Sequence, residues 1–332
     1  MRACLSVLLV VAGAVLAGAA APAAYRAPRA AGGHPDIQGT WTNEGQTRLE
    51  RRAQYGDRLV MTDAEVAALE SPGSWMKVMR VAGQPRTGFI TTTPDGRVPP
   101  LKAGAQADPR VHVLALGEKV TDNPETQAID DRCLLAIGNL AGPVMLPLPN
   151  NSNYGIVQTK DAVVILVEMI HDARIVRLGA AHRTDGVRPW LGDSIGRWDG
   201  ETLVVETTNF PQAQAFRGSW RNLKVTERFT RVAADRLLYR FTVEDPTLWD
   251  KPWGGEYEFA AKREPIEEYA CFEGEVSMGH MLDAARAEER AAAGGKGSRP
   301  IRGRPMPPRP RRISPALGPR PGCCPAGAWA GG

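Results

Sequence analysis

Apolar and polar residues alternate with a period of two through most of the chain from Tyr154 to Cys271, the spacing of half-buried β-strands. The segments are "YGIVQT", "AVVILVEMIHDARIV", "SIGRW", "ETLVVETTNF", "LKVTERFTRV", "RLLYRFTVED", "GEYEFAAK" and "IEEYAC". Lys160–Asp161, Asp199–Gly200 and Ala233–Asp235 separate neighbours as short turns, Asp-Gly being a strong hairpin signal. Upstream, residues 36–130 are loop-rich, with an opening strand in "DIQGTW" and a short helix in "TDAEVAALE", where Thr62 and Glu65 have capping-box spacing. A helical pattern closes residues 278–290. The prediction is one mainly β domain over 36–290, with the meander at 131–277. Its strands form an antiparallel up-and-down barrel or a strongly curved sheet.

The two ends change the picture of charge and compartment. Residues 1–24 read as a signal peptide: Arg2, an apolar core over Leu5–Ala17, then small residues suited to cleavage. Residues 25–35 read as a linker. The expected location is periplasmic or secreted, with no membrane span after cleavage. Residues 291–332, rich in Pro, Gly, Ala and Arg, have the composition of a disordered tail. Leader, linker and tail carry eleven cations and no acids; removing them from the net +4 leaves about −7 for residues 33–290. The fold is therefore acidic, which argues against nucleic acid as a partner. Cys4 falls in the leader and Cys323–Cys324 in the tail. Cys133 and Cys271 remain, and in an oxidising compartment they are expected to pair; two buried free thiols are the alternative.

Several blocks carry a resemblance. "SIGRWDGETLVVETTNF", "VTERFTRV", "TVEDPTLW", "EMIHDARIV" and "EYACFEG" resemble those of a family of exported bacterial proteins to which no reaction is assigned. The resemblance covers about Asp36 to Glu289 and implies export and a β-rich fold. Where relatives commonly read "EYACHEGN", this chain has Phe272 and Glu275, so any role of that family histidine is not available here. Gly39–Thr40–Trp41 is similar to the G-x-W opening strand of lipocalins, which favours a lipocalin-like barrel.

Splitting each strand into its two faces gives the candidate chemistry. If Val163–Ile175 is one strand, His171 shares an apolar face with Val163, Ile165, Val167 and Met169, and Glu168, Asp172 and Arg174 form ion pairs on a solvated outer face. Leu223, Val225, Glu227 and Phe229 share a second inward face; Thr207 and Asn209 end a third, and Asp245 a fourth. Inward polar groups should find one another, so His171 and Glu227 are predicted as a proton-transfer pair. Glu227→Gln should then cost little stability. Asn209, Asp245, Asp193, Trp190 and Arg217 are candidate substrate-binding residues, with Arg217 as an anion clamp and Asn209 and Asp245 alternatively turn residues. No cofactor motif or metal-ligand spacing is present; a metal held by His171, Glu227 and Asp245 is the alternative. The expected function is an exported, cofactor-independent lyase, isomerase or hydrolase acting on a small hydrophobic or aromatic compound in a barrel pocket. A lipocalin-like binding protein without catalysis is the second reading.

Overall fold

The computed structural model describes residues 25–72, 77–108, 119, 121–137 and 139–293. The expected leader, and the tail from residue 294 onward, lie outside them. The strands are β1 (Gly39–Thr42), β2 (Arg80–Val81), β3 (Gln84–Pro85), β4 (Asn153–Gln158), β5 (Ala162–Val167), β6 (Ala173–Leu178), β7 (Asp193–Asp199), β8 (Thr202–Thr208), β9 (Lys224–Ala233), β10 (Arg236–Glu244) and β11 (Trp253–Lys262). Nine of them close a barrel in the order β1-β11-β10-β9-β8-β7-β6-β5-β4, with β1 pairing β4 to complete the ring; β2 and β3 form a separate ribbon. The protein is thus a mainly β barrel, as the alternation predicts.

Among the described residues the α-helices are α1 (Asp63–Leu69) and α2 (Ser277–Ala292). At α1 the reciprocal cap forms: Thr62 Oγ1 accepts from Glu65 N at 3.3 Å, and Glu65 Oε2 accepts from Thr62 N at 2.8 Å. Backbone contacts divide the chain after Ala285, and the barrel belongs to the unit that ends there. Of the second unit, Arg286–Gly332, the described residues are the end of α2, where Arg286 pairs with Glu289. Among the described residues no helix is long and apolar enough to cross a membrane.

Three local outcomes differ from the sequence pattern. The long run over Ala162–Val176 is two strands, β5 and β6, joined by a turn. "IEEYAC" is not a strand; it leads instead to Cys271, which is disulfide-bonded to Cys133. And β6 pairs with β7 in parallel, with Val176 opposite Ser194, while the other barrel pairs are antiparallel. Residues 179–192 cross from one end of the barrel to the other, the long connection that a parallel neighbour requires.

The barrel interior is filled by aromatic side chains and by chain. Tyr239 lies 5.0 Å from Tyr257 and 5.1 Å from Phe229, ring centre to ring centre. Leu135, Ala136, Leu140, Ala141, Val144 and Met145 are buried in the same core. A loop placed there needs partners for its backbone polar groups, and the inward tyrosines supply them. Tyr154 donates to Leu140 O at 2.9 Å and Tyr257 to Met145 O at 2.7 Å, while Met145 N donates to Tyr239 Oη at 3.1 Å. This plug lies inside the stretch 131–277 expected as meander, yet it has no periodic apolar pattern and its described residues form no strand.

Candidate functional site

The β5–β6 turn decides what faces inward. Ile170 and His171 take left-handed backbone conformations (φ 59° and 42°), uncommon for any side chain and more so for a β-branched one. The turn is held by Val167 N donating to Asp172 O at 2.8 Å and His171 N donating to Glu168 O at 3.1 Å. Glu168 is buried and accepts from the Asn153 side-chain amide. Beyond the turn the alternation restarts one residue out of phase. Arg174 and Val176 point inward, opposite Ile165 and Val163, and Ile175 points out.

Arg174 therefore meets Glu227. Both guanidinium Nη atoms engage the carboxylate, Nη1 to Oε1 at 3.2 Å and Nη2 more closely to Oε2, and Tyr239 donates to Oε1 at 2.9 Å. The two side chains are 1% and 0% exposed. Burial, then the Glu227 charge, pushes the Tyr239 phenol far above its ordinary value, so it stays a donor. The predicted His171–Glu227 pair does not form: His171 is exposed on the turn and Glu227 is occupied by Arg174 and Tyr239. Nor do Glu168 and Arg174 lie on a solvated outer face; both are buried. The phase change at Ile170–His171 accounts for Arg174; Glu168 precedes it and is buried because β5 ends at Val167, where Glu168 enters the turn and meets Asn153.

Arg174 also lies beneath a groove of about 460 Å³ beside the parallel β6–β7 pair, lined by Leu135, Asp172, Ile175, Trp190 and Asp193 among others. Ile175 and Trp190 are 58% and 46% exposed, an apolar and an aromatic wall open to solvent. Asp172 is half-buried and accepts from Ala136 N at 3.1 Å. Burial pushes its carboxyl up to about 6, outweighing that hydrogen bond and the charge of His171. A carboxyl there changes protonation near neutral pH, as a general acid or base must. Asp193 behaves oppositely. Burial raises it, but Arg183 N at 2.7 Å, His182 Nδ1 at 3.0 Å and Arg177 Nη2 at 2.8 Å outweigh burial and hold it below the ordinary carboxylate range. It is an anchored anion that fixes the groove wall.

The remaining candidates scatter. Asn209, left-handed with φ 56°, donates to Arg183 O at 3.1 Å and so braces the same wall from behind. Asp245 is buried in a turn after β10, accepting from Ser219 Oγ at 2.5 Å and from Thr247 N at 2.9 Å. Arg217 is paired with Glu50 at 2.9 Å. Of the candidates, only Trp190 and Asp193 line the groove. Among the described residues His171, Glu227 and Asp245 form no metal-binding cluster. Sequence reasoning missed Asp172 and Arg174. The available signal was length: the run over Ala162–Val176 is well over twice a typical strand of about 5–6 residues, with four polar residues, Glu168, His171, Asp172 and Arg174, after Val167.

The Asp172 carboxyl makes stability depend on pH. Its folded value, about 6, lies above the ordinary 3.8, so the folded state binds the proton more tightly than the unfolded chain. That preference is fully present below about pH 4 and is lost as pH rises through about 6. The shift corresponds to about 3 kcal/mol, reduced to about 1–1.5 kcal/mol because the group is partly exposed. Asp172→Asn should therefore raise stability by about 1 kcal/mol at pH 8 and leave it unchanged at pH 4. Denaturant unfolding at both values tests this; equal stability at pH 8 would place the carboxyl at its ordinary value.

Comparison of the chain with protein-family models finds no match, and a search of curated proteins finds none either.

Proposed function

We propose that this protein is exported, binds a small molecule with a flat hydrophobic or aromatic face in the β6–β7 groove and exchanges a proton with it through Asp172. The carrying observation is one groove that holds an exposed Trp190 and a half-buried carboxyl raised to about 6. Its size falls within the range of small-molecule sites, and an indole face suits stacking. The floor is held together by the Arg174–Glu227 pair and the Tyr239 hydroxyl that donates to it. Asp193, held ionised, does not supply a second acid. A single titrating carboxyl fits removal and return of one proton, the elementary step of cofactor-independent isomerases and lyases, better than hydrolysis, which needs both a base and an acid. Export is supported by the leader-like residues 1–24 and by the Cys133–Cys271 bridge. The family resemblance agrees with export but names no substrate.

The test is a screen of the purified protein against small aromatic acids, alcohols and ketones, followed for binding and for turnover. Trp190→Ala should weaken binding about tenfold or more, the scale of losing one stacked aromatic contact. Asp172→Asn should keep binding and lower turnover by a factor of roughly 100 or more. Binding that persists unchanged in Trp190→Ala places the ligand elsewhere. Tight binding without turnover in the unaltered protein supports the second reading, a carrier whose Asp172 only hydrogen-bonds its ligand.

A further inference from the structure

A second groove, of about 650 Å³, lies between the segment after β1, the loop at 94–97 and residues 146–149, and shares no lining residue with the first. Its charge is one-sided: Arg48, Arg51, Arg52, Arg97 and Arg217 line it, with Glu50 the one acidic residue. This stands out in a stretch, residues 33–290, whose net charge is about −7.

Arg51 shows that the site is built. It is 4% exposed, yet among the described residues no carboxylate pairs with it and its buried Nε has no partner, while Nη1 donates to Pro94 O at 2.9 Å. Gly96 makes the space: φ is +65°, and a Cβ there would come within 2.9 Å of the guanidinium carbon. A buried cation neutralised only by backbone dipoles is unfavourable, and a counter-anion relieves it. Arg48, Arg52 and Arg97 are exposed and make no ion pair among the described residues, whereas Arg217 is held by Glu50 at 2.9 Å.

We infer that this groove binds a small polyanion, a molecule carrying two or more carboxylate or phosphate groups. Planar guanidinium forks match both kinds of oxyanion. Arginines spread along a groove of small-molecule size favour several anionic groups over one. Glu50 moderates the site by occupying Arg217.

The experiment is titration calorimetry on the full chain with two probes, citrate for carboxylates and pyrophosphate for phosphates, at low ionic strength. Saturable one-to-one binding of at least one probe is expected, and the tighter probe identifies the anion class. Arg48→Gln and Arg97→Gln change exposed side chains and should each weaken binding about tenfold, the scale of a charge-assisted hydrogen bond. Glu50→Gln should tighten binding several-fold, since it removes a repelling carboxylate and frees Arg217. The basic sequence after residue 294 attracts anions without regard to these positions. Affinity retained in both arginine variants therefore assigns the heat to that sequence and overturns the groove. So does the absence of saturable binding with both probes.

Discussion

Glu227→Gln should destabilise the protein by about 3–5 kcal/mol, because it leaves the Arg174 guanidinium charged, buried and without its anion. Among the described residues Glu227 is the one acid paired with Arg174; Tyr239 is a phenol held protonated, and Arg174 is 1% exposed, so water does not replace the lost charge. For a domain of this size such a loss lowers Tm by roughly 10 °C or more. His171→Ala, at an exposed turn position, should cost less than about 1 kcal/mol. This ranking is the reverse of what a His171–Glu227 pair implies. Arg174→Met combined with Glu227→Leu removes both charges together and should recover most of the loss. Chemical denaturation of the three variants decides the matter. A Glu227→Gln protein within about 1 kcal/mol of the parent would show that the ion pair does not carry its share of the barrel's stability.

Most of the barrel was legible because its information is local. In β8, β9 and β10, and at Leu223 just before β9, the alternation assigns Leu203, Val205, Leu223, Val225, Glu227, Phe229, Tyr239, Phe241 and Val243 to the interior, and all are buried. The hairpin at Asp199–Gly200 joins β7 to β8 where the dipeptide predicts it. What failed was non-local or conformational. The two left-handed residues at Ile170–His171 reverse the inward face of β6, and an isoleucine gives no hint of such a conformation. One unread turn therefore exchanged His171 for Arg174 as the partner of Glu227 and hid Asp172, which sits where the turn ends. The plug was invisible for a different reason: Leu140 and Met145 are anchored through backbone atoms to tyrosines at least 14 residues distant. Trp190 and Asp193 were singled out from one motif and do share a groove, because the motif is short and turns directly into β7.

Replacing Cys133 and Cys271 together by serine should cost about 2–4 kcal/mol, since the bridge closes a loop spanning a sequence separation of 138 residues and constrains the unfolded chain accordingly. The effect should also have a place. Cys133 stands at the entry of the plug, and Cys271 follows β11, so the bridge ties the entry of the plug to the chain beyond the last barrel strand. Beyond it the plug is held by Tyr154, Tyr239 and Tyr257. Without the covalent tie, the plug can open locally while β9 and β10 keep their ladder, because local openings follow the weakest attachments. Hydrogen exchange at the Met145 amide, which donates to Tyr239, should therefore accelerate far more than exchange in the β9–β10 hairpin. Reductant should bring the parent protein to the level of the serine variant and leave the variant itself unchanged. Uniform acceleration across plug and hairpin would instead mean that plug and barrel unfold as one unit, with the disulfide acting only on the unfolded chain.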